Sequence, residues 1–538
     1  MRREHLQRLG LTALVLAWCF DQLFWEKEPG ISFLLFVLLC LLAGMLLTRG
    51  EKLRPAASSL LLLAPILFFA GMSTLRLEPF TLLVNYGLTL GCMLVLSLTW
   101  LGGRWWRYGA SDYFFNTLRW VGDLLVKPIE IVAPRRLKDE ADNPLEGSGP
   151  AEAARHPGRR LAMSILVGVL MALPLVILLA SLLAHADPIF AERLQALFKL
   201  VDLEKLDEYL FRLFYISIGG YLLSGVFLHA LLSSQDERQS TGEKPWPPPF
   251  LGWVEAVTAL ICVDLLFLSF VVLQLRYFFG GQANIRIEGF TYSEYARRGF
   301  GELVAVAVIS LLLLLALNAI TRRIDRKSRW AFSAAGIVLV ALVAVILVSA
   351  FQRLLLYEAA YGFTRLRAYT HVFMVWLGIL LLATAVLEAS GRMRHFALVA
   401  VLAGLGFGIS LNLLNVDAFI ARQNILRAAR GETLDAAYLV SLSEDVVPEL
   451  FSQMDGGRTS PRVQDQIGAS LACRAAMQPQ QARTESPRPW PSFHWSQERA
   501  SRLMQSHQEQ LSAYPTRRLT DGWHVSINGF ERPCLSAD

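Results

Sequence analysis

Eleven stretches of the chain are long and apolar enough to cross a bilayer as helices, and that feature leaves few folds open. They are 9–25, 31–48, 56–74, 80–101, 161–184, 209–233, 253–277, 301–321, 330–352, 368–388 and 395–415. Backbone amides find no water in hydrocarbon, so runs of this kind must be helical. The first is the weakest, being short and containing Asp21. The sequence predicts an all-α polytopic membrane bundle of about eleven transmembrane helices, with a small helical extramembrane region at its C-terminus.

Composition agrees. Only 18% of the 538 residues are charged, where a soluble chain carries about a quarter. The deficit falls in the first 415 residues, which excludes a soluble multidomain enzyme. Four parts follow: a four-helix transmembrane part (1–101), a cytoplasmic loop (102–160), a seven-helix transmembrane core (161–415) and a soluble helical region (416–538). The net charge of +6 is assigned to loops near anionic lipid. No basic run interleaved with aromatics lies outside those loops, so membrane lipids and not nucleic acid are the expected partners.

Met1-Arg2-Arg3-Glu4-His5 leads into Leu9–Phe24 like a signal peptide, but no small-x-small cleavage site follows before Glu26. The segment is read as a retained first helix. With the N-terminus inside, Lys and Arg favour the inner loops by roughly two to one, which places the N-terminus in the cytoplasm. An odd number of spans then puts the C-terminal region outside. There Cys473 and Cys534 could form a disulfide.

Within the long inner loop, Tyr113–Val126 with Trp105, Trp106 and Trp120 beside Arg104, Arg107, Arg119 and Lys127 suits either an interfacial helix or a cytoplasmic helix packed on the bundle. Residues 139–158 read as a flexible linker and 236–249 as a second, proline-rich inner loop. In the tail, helices are expected from Asp417 to a C-capping Gly431, from Leu434 to Leu442, from Pro461 to about Met477, and from a Ser496 cap to about Leu511.

Polar groups inside a membrane are the default functional candidates. Asp264 is the sharpest, in mid-span within Ala259–Leu266. Unpartnered ionisation there would cost several kcal/mol, so it reads either as a proton or cation site or as an interhelical hydrogen bond. Asp21, Glu255, Asn318 and Glu388 lie nearer span ends and read as interfacial, and Asn412, Asn415 and Asp417 as helix-exit residues.

A second anomaly is basic charge in the outer loops: Arg276, Arg286, Arg297 and Arg298 before the eighth span, and Arg353, Arg365 and Arg367 between the ninth and tenth. Thr291 and Glu294 look like a capping box, and Glu294 and Arg298 are spaced to pair on that helix. Arg353, Tyr357 and Tyr361 share one face of an extended ninth helix, with Glu358 beside them. Tyr292, Glu294, Arg297, Arg298, Arg353, Tyr357, Glu358, Tyr361, Arg365 and Arg367 thus define a candidate outer basic and aromatic pocket for an anion or lipid headgroup. The competing reading is aromatic-belt anchoring with ion pairs inside the chain. His-Glu-x-x-His, Gly-x-Ser-x-Gly and Walker-type signatures are missing, no Cys-x-x-Cys pair occurs, and neither cofactor nor metal is expected.

Phe290–Leu303, Arg353–Arg367 and Asn415–Asn424 resemble three signature stretches of a bacterial membrane-protein family catalogued only as a domain of unknown function, with Leu434–Leu439 and Trp495-Ser496 fitting further along. The resemblance covers most of 160–500 and implies a multi-spanning protein of the bacterial cytoplasmic membrane. It supplies no activity or substrate.

The reading that follows is transport or sensing of a small solute, ion or lipid through Asp264 and the outer arginines. Its rival is a membrane scaffold that docks an envelope protein through the C-terminal region. A lipid-linked glycosyltransferase using Asp21, Glu26 and Glu28 is disfavoured, since the first outer loop is only about six residues long.

Overall fold

The computed structural model describes residues 3–132, 206–234, 248–279, 300–322, 325–456, 459–477 and 489–535, with isolated positions at 176, 179, 183 and 187. Membrane-length helices dominate: α1 (Arg3–Phe24), α2 (Ile31–Gly50), α3 (Ala57–Leu75), α4 (Pro79–Leu98), α6 (Leu206–Leu228), α7 (Trp253–Phe279), α8 (Phe300–Ile320), α9 (Arg326–Tyr361), α10 (Arg365–Ala389) and α11 (Phe396–Leu414). Between α4 and α6 runs α5 (Ala110–Val132). Among the described residues nine helical segments are long and apolar enough to span a membrane, and α1 is a tenth, more polar helix beside them. The remaining expected span, 161–184, lies outside the described residues apart from the isolated positions 176, 179 and 183. The protein is an all-α polytopic bundle.

Two groups of helices make up the bundle. In the first, α1 packs on α6 and α2, and α2 continues to α3 and α4. Asp21 meets Arg212, while Ala17 and Leu14 meet Gly219 and Gly220, so α1 and α6 run antiparallel. In the second, α9 packs on α7, α8 and α10, and α10 on α11. Leu314, Phe332, Leu339, Ile346 and Leu354 are fully buried in its core. The groups join where α11 packs on α4, with Asn85 and Asn412 exchanging amide hydrogen bonds of 3.0 and 2.6 Å in a fully buried pair.

Helix ends follow local chemistry. Glu78 caps α4, accepting from the Phe80 and Thr81 amides, and Pro79 takes the first position, where no donor is needed. A capping box between Asp325 and Ser328 opens the 36-residue α9. Asn415 adopts a left-handed conformation (φ 50°) and turns α11 into α12.

The C-terminal region holds α12 (Val416–Ala429), α13 (Ala436–Ser441), α14 (Val447–Asp455), α15 (Pro461–Met477), α16 (Trp495–Ser506) and α17 (Gln508–Leu511). It closes with a sheet that the sequence reading left out: β1 (Thr516–Leu519), β2 (Gly522–Ile527) and β3 (Phe530–Pro533), antiparallel in that order. Asn528 and Gly529 both have positive φ, which makes the β2–β3 connection a two-residue hairpin turn. Helix periodicity does not register strands this short. A Cys473–Cys534 disulfide (Cα–Cα 5.6 Å) ties β3 to α15. Ser496 does not cap α16; His494 stands at that position, and the Ser496 hydroxyl donates to Asp445.

This region is a cap on one end of the bundle. The Phe493 carbonyl accepts from the Ile31 amide (2.9 Å), and His494 bonds the Pro29 carbonyl (2.8 Å). Asp445 accepts from the Leu77 amide (2.8 Å). Loops 25–30, 76–78 and 362–364 and the exit of α11 therefore share the capped end. The N-terminus lies at the other, where His5 meets Glu51 (3.5 Å) and an isolated bridge joins Leu251 to Thr321. Ala368, Leu411, Phe80, Val84 and Phe407 belong to the same apolar cluster as Ile420, Leu439, Leu450 and Ile467. No core boundary falls at residue 416. Ile420, Leu439, Leu450 and Ile467 of the cap would otherwise face water, and each contributes about 1.5–3 kcal/mol when buried, so this packing stabilises the cap.

Candidate functional site at the capped end of the bundle

The arginine–tyrosine stretch Arg353–Arg367 forms the last turns of α9, a tight link and the first turn of α10. Arg367 donates to the Gly362 carbonyl and lies over the Tyr357 ring, 4.0 Å from its centroid. Tyr357 in turn contacts Tyr361 (5.0 Å) and Phe300 (6.2 Å). Arg365 reaches across the cap to Asp417 with two bonds, Nε to Oδ1 at 2.8 Å and Nη2 to Oδ2 at 2.7 Å. Asp417 is fully buried and also accepts from the Ser443 amide (2.6 Å). The Arg365 amide donates to the Tyr438 hydroxyl (3.0 Å).

The stretch that resembles the third family signature completes the arrangement. Asn424 clamps Phe363, donating to its carbonyl (2.9 Å) and accepting from its amide (2.8 Å). Arg427 donates to the Ala359 and Ala360 carbonyls, satisfying the orphan acceptors at the end of α9. Gly362 has φ +80°, and a Cβ there would meet Arg427 Nη1 at 2.6 Å and Asn424 Oδ1 at 2.9 Å. Only glycine fits both the turn and the clamp. Two separated sequence signatures are thus halves of one latch. The positions Tyr292, Glu294, Arg297 and Arg298, with Arg286 and the side chain of Arg276, lie outside the described residues.

Two more buried carboxylates sit beside the latch. Tyr369 donates to Glu78, which links the first turn of α10 to the cap of α4. Asp445 takes bonds from the Leu77 and Glu78 amides and from Ser443 and Ser496. Burial pushes its carboxyl above the usual range, and the Ser496 bond and nearby Arg76 oppose that rise. Burial lowers Arg76, whose guanidinium donates twice to the Asn412 carbonyl (3.0 and 2.7 Å). On the exposed side of the cap, the Arg422 bond holds Glu449 below the carboxylate range.

Four predicted groups stand apart. Glu358 is buried and bonds His371 (3.0 Å); its Oε2 and the His371 Nε2 are buried without a hydrogen bond among the described residues. Asp264 belongs to α7, on the face that carries Ala256, Leu260 and Val271 into the core. It is 8% exposed, and its Oδ1 has no hydrogen-bond partner among the described residues. Ser349 donates to Gln274 (3.0 Å) and sets the register of the parallel helices α7 and α9. Ten residues below Gln274, about 15 Å, Asp264 faces the level of Leu339, where α9 is apolar. Asp21, read as interfacial, is 1% exposed and is engaged by Arg212 and Tyr215, with Trp25 close by. Glu388 is likewise buried, accepting from Asn318 and Ser333 at 2.8 Å each.

Asp417 and Asn412 were legible only as helix-exit residues, because their partners lie 52 and 327 positions away. Glu78-Pro79 carried a cap signal, though not its contact with Tyr369. Among the described residues no group of three or more His, Cys, Asp or Glu is placed to hold a metal ion. At the capped end one ion pair with a fully buried carboxylate, Arg365–Asp417, and a set of hydrogen bonds tie α9, α10 and α4 to the cap.

A family model described as "Domain of unknown function (DUF4153)" matches residues 9–453, from α1 into α14. No curated protein and no solved structure matches the chain.

Proposed function

We propose that this chain, which belongs to the DUF4153 family, moves or senses a small solute, ion or lipid across a bacterial inner membrane, with Asp264 as its intramembrane proton or cation site. The observation that carries this reading is the Asp264 carboxyl, facing apolar α9 in mid-span with one oxygen unpartnered among the described residues. Such a group exchanges a proton or cation with its surroundings at a cost that a rearrangement of α7 against α9 would change. The latch supplies the readout, since α9, α10, α11 and α4 all end against the cap. In this proposal the N-terminus is cytoplasmic and the cap extracytoplasmic, as the distribution of basic residues favours.

Proteoliposomes enclosing a pH dye test the reading, alongside hydrogen exchange of the cap between pH 5 and 8. Wild type is expected to show proton flux or pH-dependent cap exchange, and Asp264→Asn to lose it. Identical behaviour of the two proteins in both assays would overturn the proposal.

The scaffold reading draws on a separate observation. Trp490, Trp495 and Phe530 are 63%, 58% and 74% exposed on the cap, a surface suited to docking an envelope protein. Cross-linking in native membranes that recovers no partner through Trp490 or Phe530 would remove it.

A further inference from the structure

We infer that the apolar cavity between α2, α4 and α6 binds one acyl chain of an anionic phospholipid, whose headgroup is held at the uncapped end by Arg104, Arg107 and Arg119. The cavity has a volume of about 500 Å³ and is lined from Phe36 to Thr48 along α2 and from Leu90 to Trp100 along and just past α4. Those stretches of thirteen and eleven residues rise by about 18 and 15 Å along the helix axis, close to half of a bilayer core about 30 Å thick. The cavity's elongated shape along two helices suits an extended hydrocarbon chain. Its lining is almost wholly apolar, so water gains nothing by entering. Leu90, 57% exposed, and Gly91 stand on its lipid-facing side.

The uncapped end supplies the polar part. Trp100 and Trp120 close the cavity there. The Trp100 indole N–H is spent on Thr48 (2.8 Å), whereas that of Trp120 is buried with no partner among the described residues. A lipid ester or phosphate oxygen would accept it. Trp120 belongs to α5, whose amphipathicity is inverted. Phe114, Leu118, Val121, Leu125 and Ile129 form an exposed stripe, while Tyr113 and Asp123 turn inward to the Trp105 carbonyl and His229. A helix with its apolar stripe outward belongs in the bilayer, which brings the adjoining Arg119 to the headgroup level. Arg104, Arg107 and Arg119 have no carboxylate partner among the described residues, as an anion-binding rim requires.

This site is remote from Asp264 and independent of its role. The test uses the full chain in lipid nanodiscs with phosphatidylglycerol carrying a photoactivatable group in its acyl chain, and the matching phosphatidylethanolamine. Labelling is expected to concentrate in peptides 36–48 and 90–100. A Cβ at Gly91 would meet nothing within 4 Å, so Gly91→Phe extends into the cavity and should cut labelling by about tenfold. Leu382→Phe, on the exposed face of α10, should not. Arg107→Ala with Arg119→Ala should cut phosphatidylglycerol labelling by about twentyfold and leave phosphatidylethanolamine labelling unchanged. Labelling spread in proportion to exposed surface, or unchanged in Gly91→Phe, overturns the site. Equal labelling by the two lipids overturns the headgroup assignment. Should Gly91→Phe fail to fold, competition by unlabelled phosphatidylglycerol on wild type decides, and labelling that resists competition counts against the site.

Discussion

Asp417 is fully buried and has three N–H donors, two from Arg365 and one from Ser443. Removing the carboxylate strands a guanidinium that is only partly exposed. Asp417→Ala is therefore expected to destabilise the protein by about 3 kcal/mol, toward the lower end for a broken buried pair because Arg365 can regain some water. Thermal unfolding in detergent measures it, and a loss below about 0.5 kcal/mol would mean the pair contributes only as a surface ion pair does. Asp445 gives a pH dependence. Its carboxyl is raised in the folded state, so the folded protein binds more protons than the unfolded chain above the ordinary aspartate value of 3.8. Its contribution is therefore full below that value and is lost as pH rises through the folded-state value. Glu449, held low by Arg422, behaves oppositely and loses its contribution as pH falls. Denaturation of wild type and Asp445→Asn across pH 3 to 8 should show the first slope only in wild type. At this scale the sequence revealed which residues are anomalous, notably Asp264, Arg365 and Arg367. It did not reveal what holds them, since the Arg365–Asp417 contact spans 52 positions and leaves no periodic trace.

The membrane helices were the most legible elements, because a bilayer imposes one length and one polarity on every span. The cap was harder. Its helices α12 and α15 followed from caps and amphipathic spacing, but β1–β3 carry only four to six residues each. Their one clear signal was Asn528-Gly529, a pair suited to a hairpin turn with φ of 51° and 83°. The disulfide closes a loop of 61 residues, worth up to about 4 kcal/mol by chain entropy. Cys534→Ser should accordingly release β1–β3, read as faster hydrogen exchange over 516–533 with exchange in α9 and α10 unchanged. Protection of the sheet at wild-type level would show that packing of Val525 on Cys473 and Ala469 suffices without the bond.

Across the whole molecule, cap and bundle share one apolar cluster and a set of buried polar contacts. Backbone meets backbone closely at Gly30, where a Cβ would stand 2.6 Å from the Phe493 carbonyl oxygen and 2.7 Å from the Ser492 backbone. Backbone cannot swing aside as a side chain can, so Gly30→Ala should unseat residues 489–494 and expose the His494–Pro29 contact. Protease cleavage near Trp490 reads this out, and resistance equal to wild type would place the cap's hold elsewhere. Hydropathy falls at residue 416, whereas the apolar cluster runs on from α10 and α11 into the cap.

The cap and the N-terminus lie at opposite ends of the bundle, and in the proposed orientation they lie on opposite faces of the membrane. This arrangement is tested most directly by placing single cysteines at Ser512 on the cap and at Ser390 at the uncapped end, both exposed, and labelling intact cells with an impermeant thiol reagent. In the proposed orientation Ser512→Cys labels in intact cells and Ser390→Cys only after the membrane is opened. Labelling of both from the same side would contradict it.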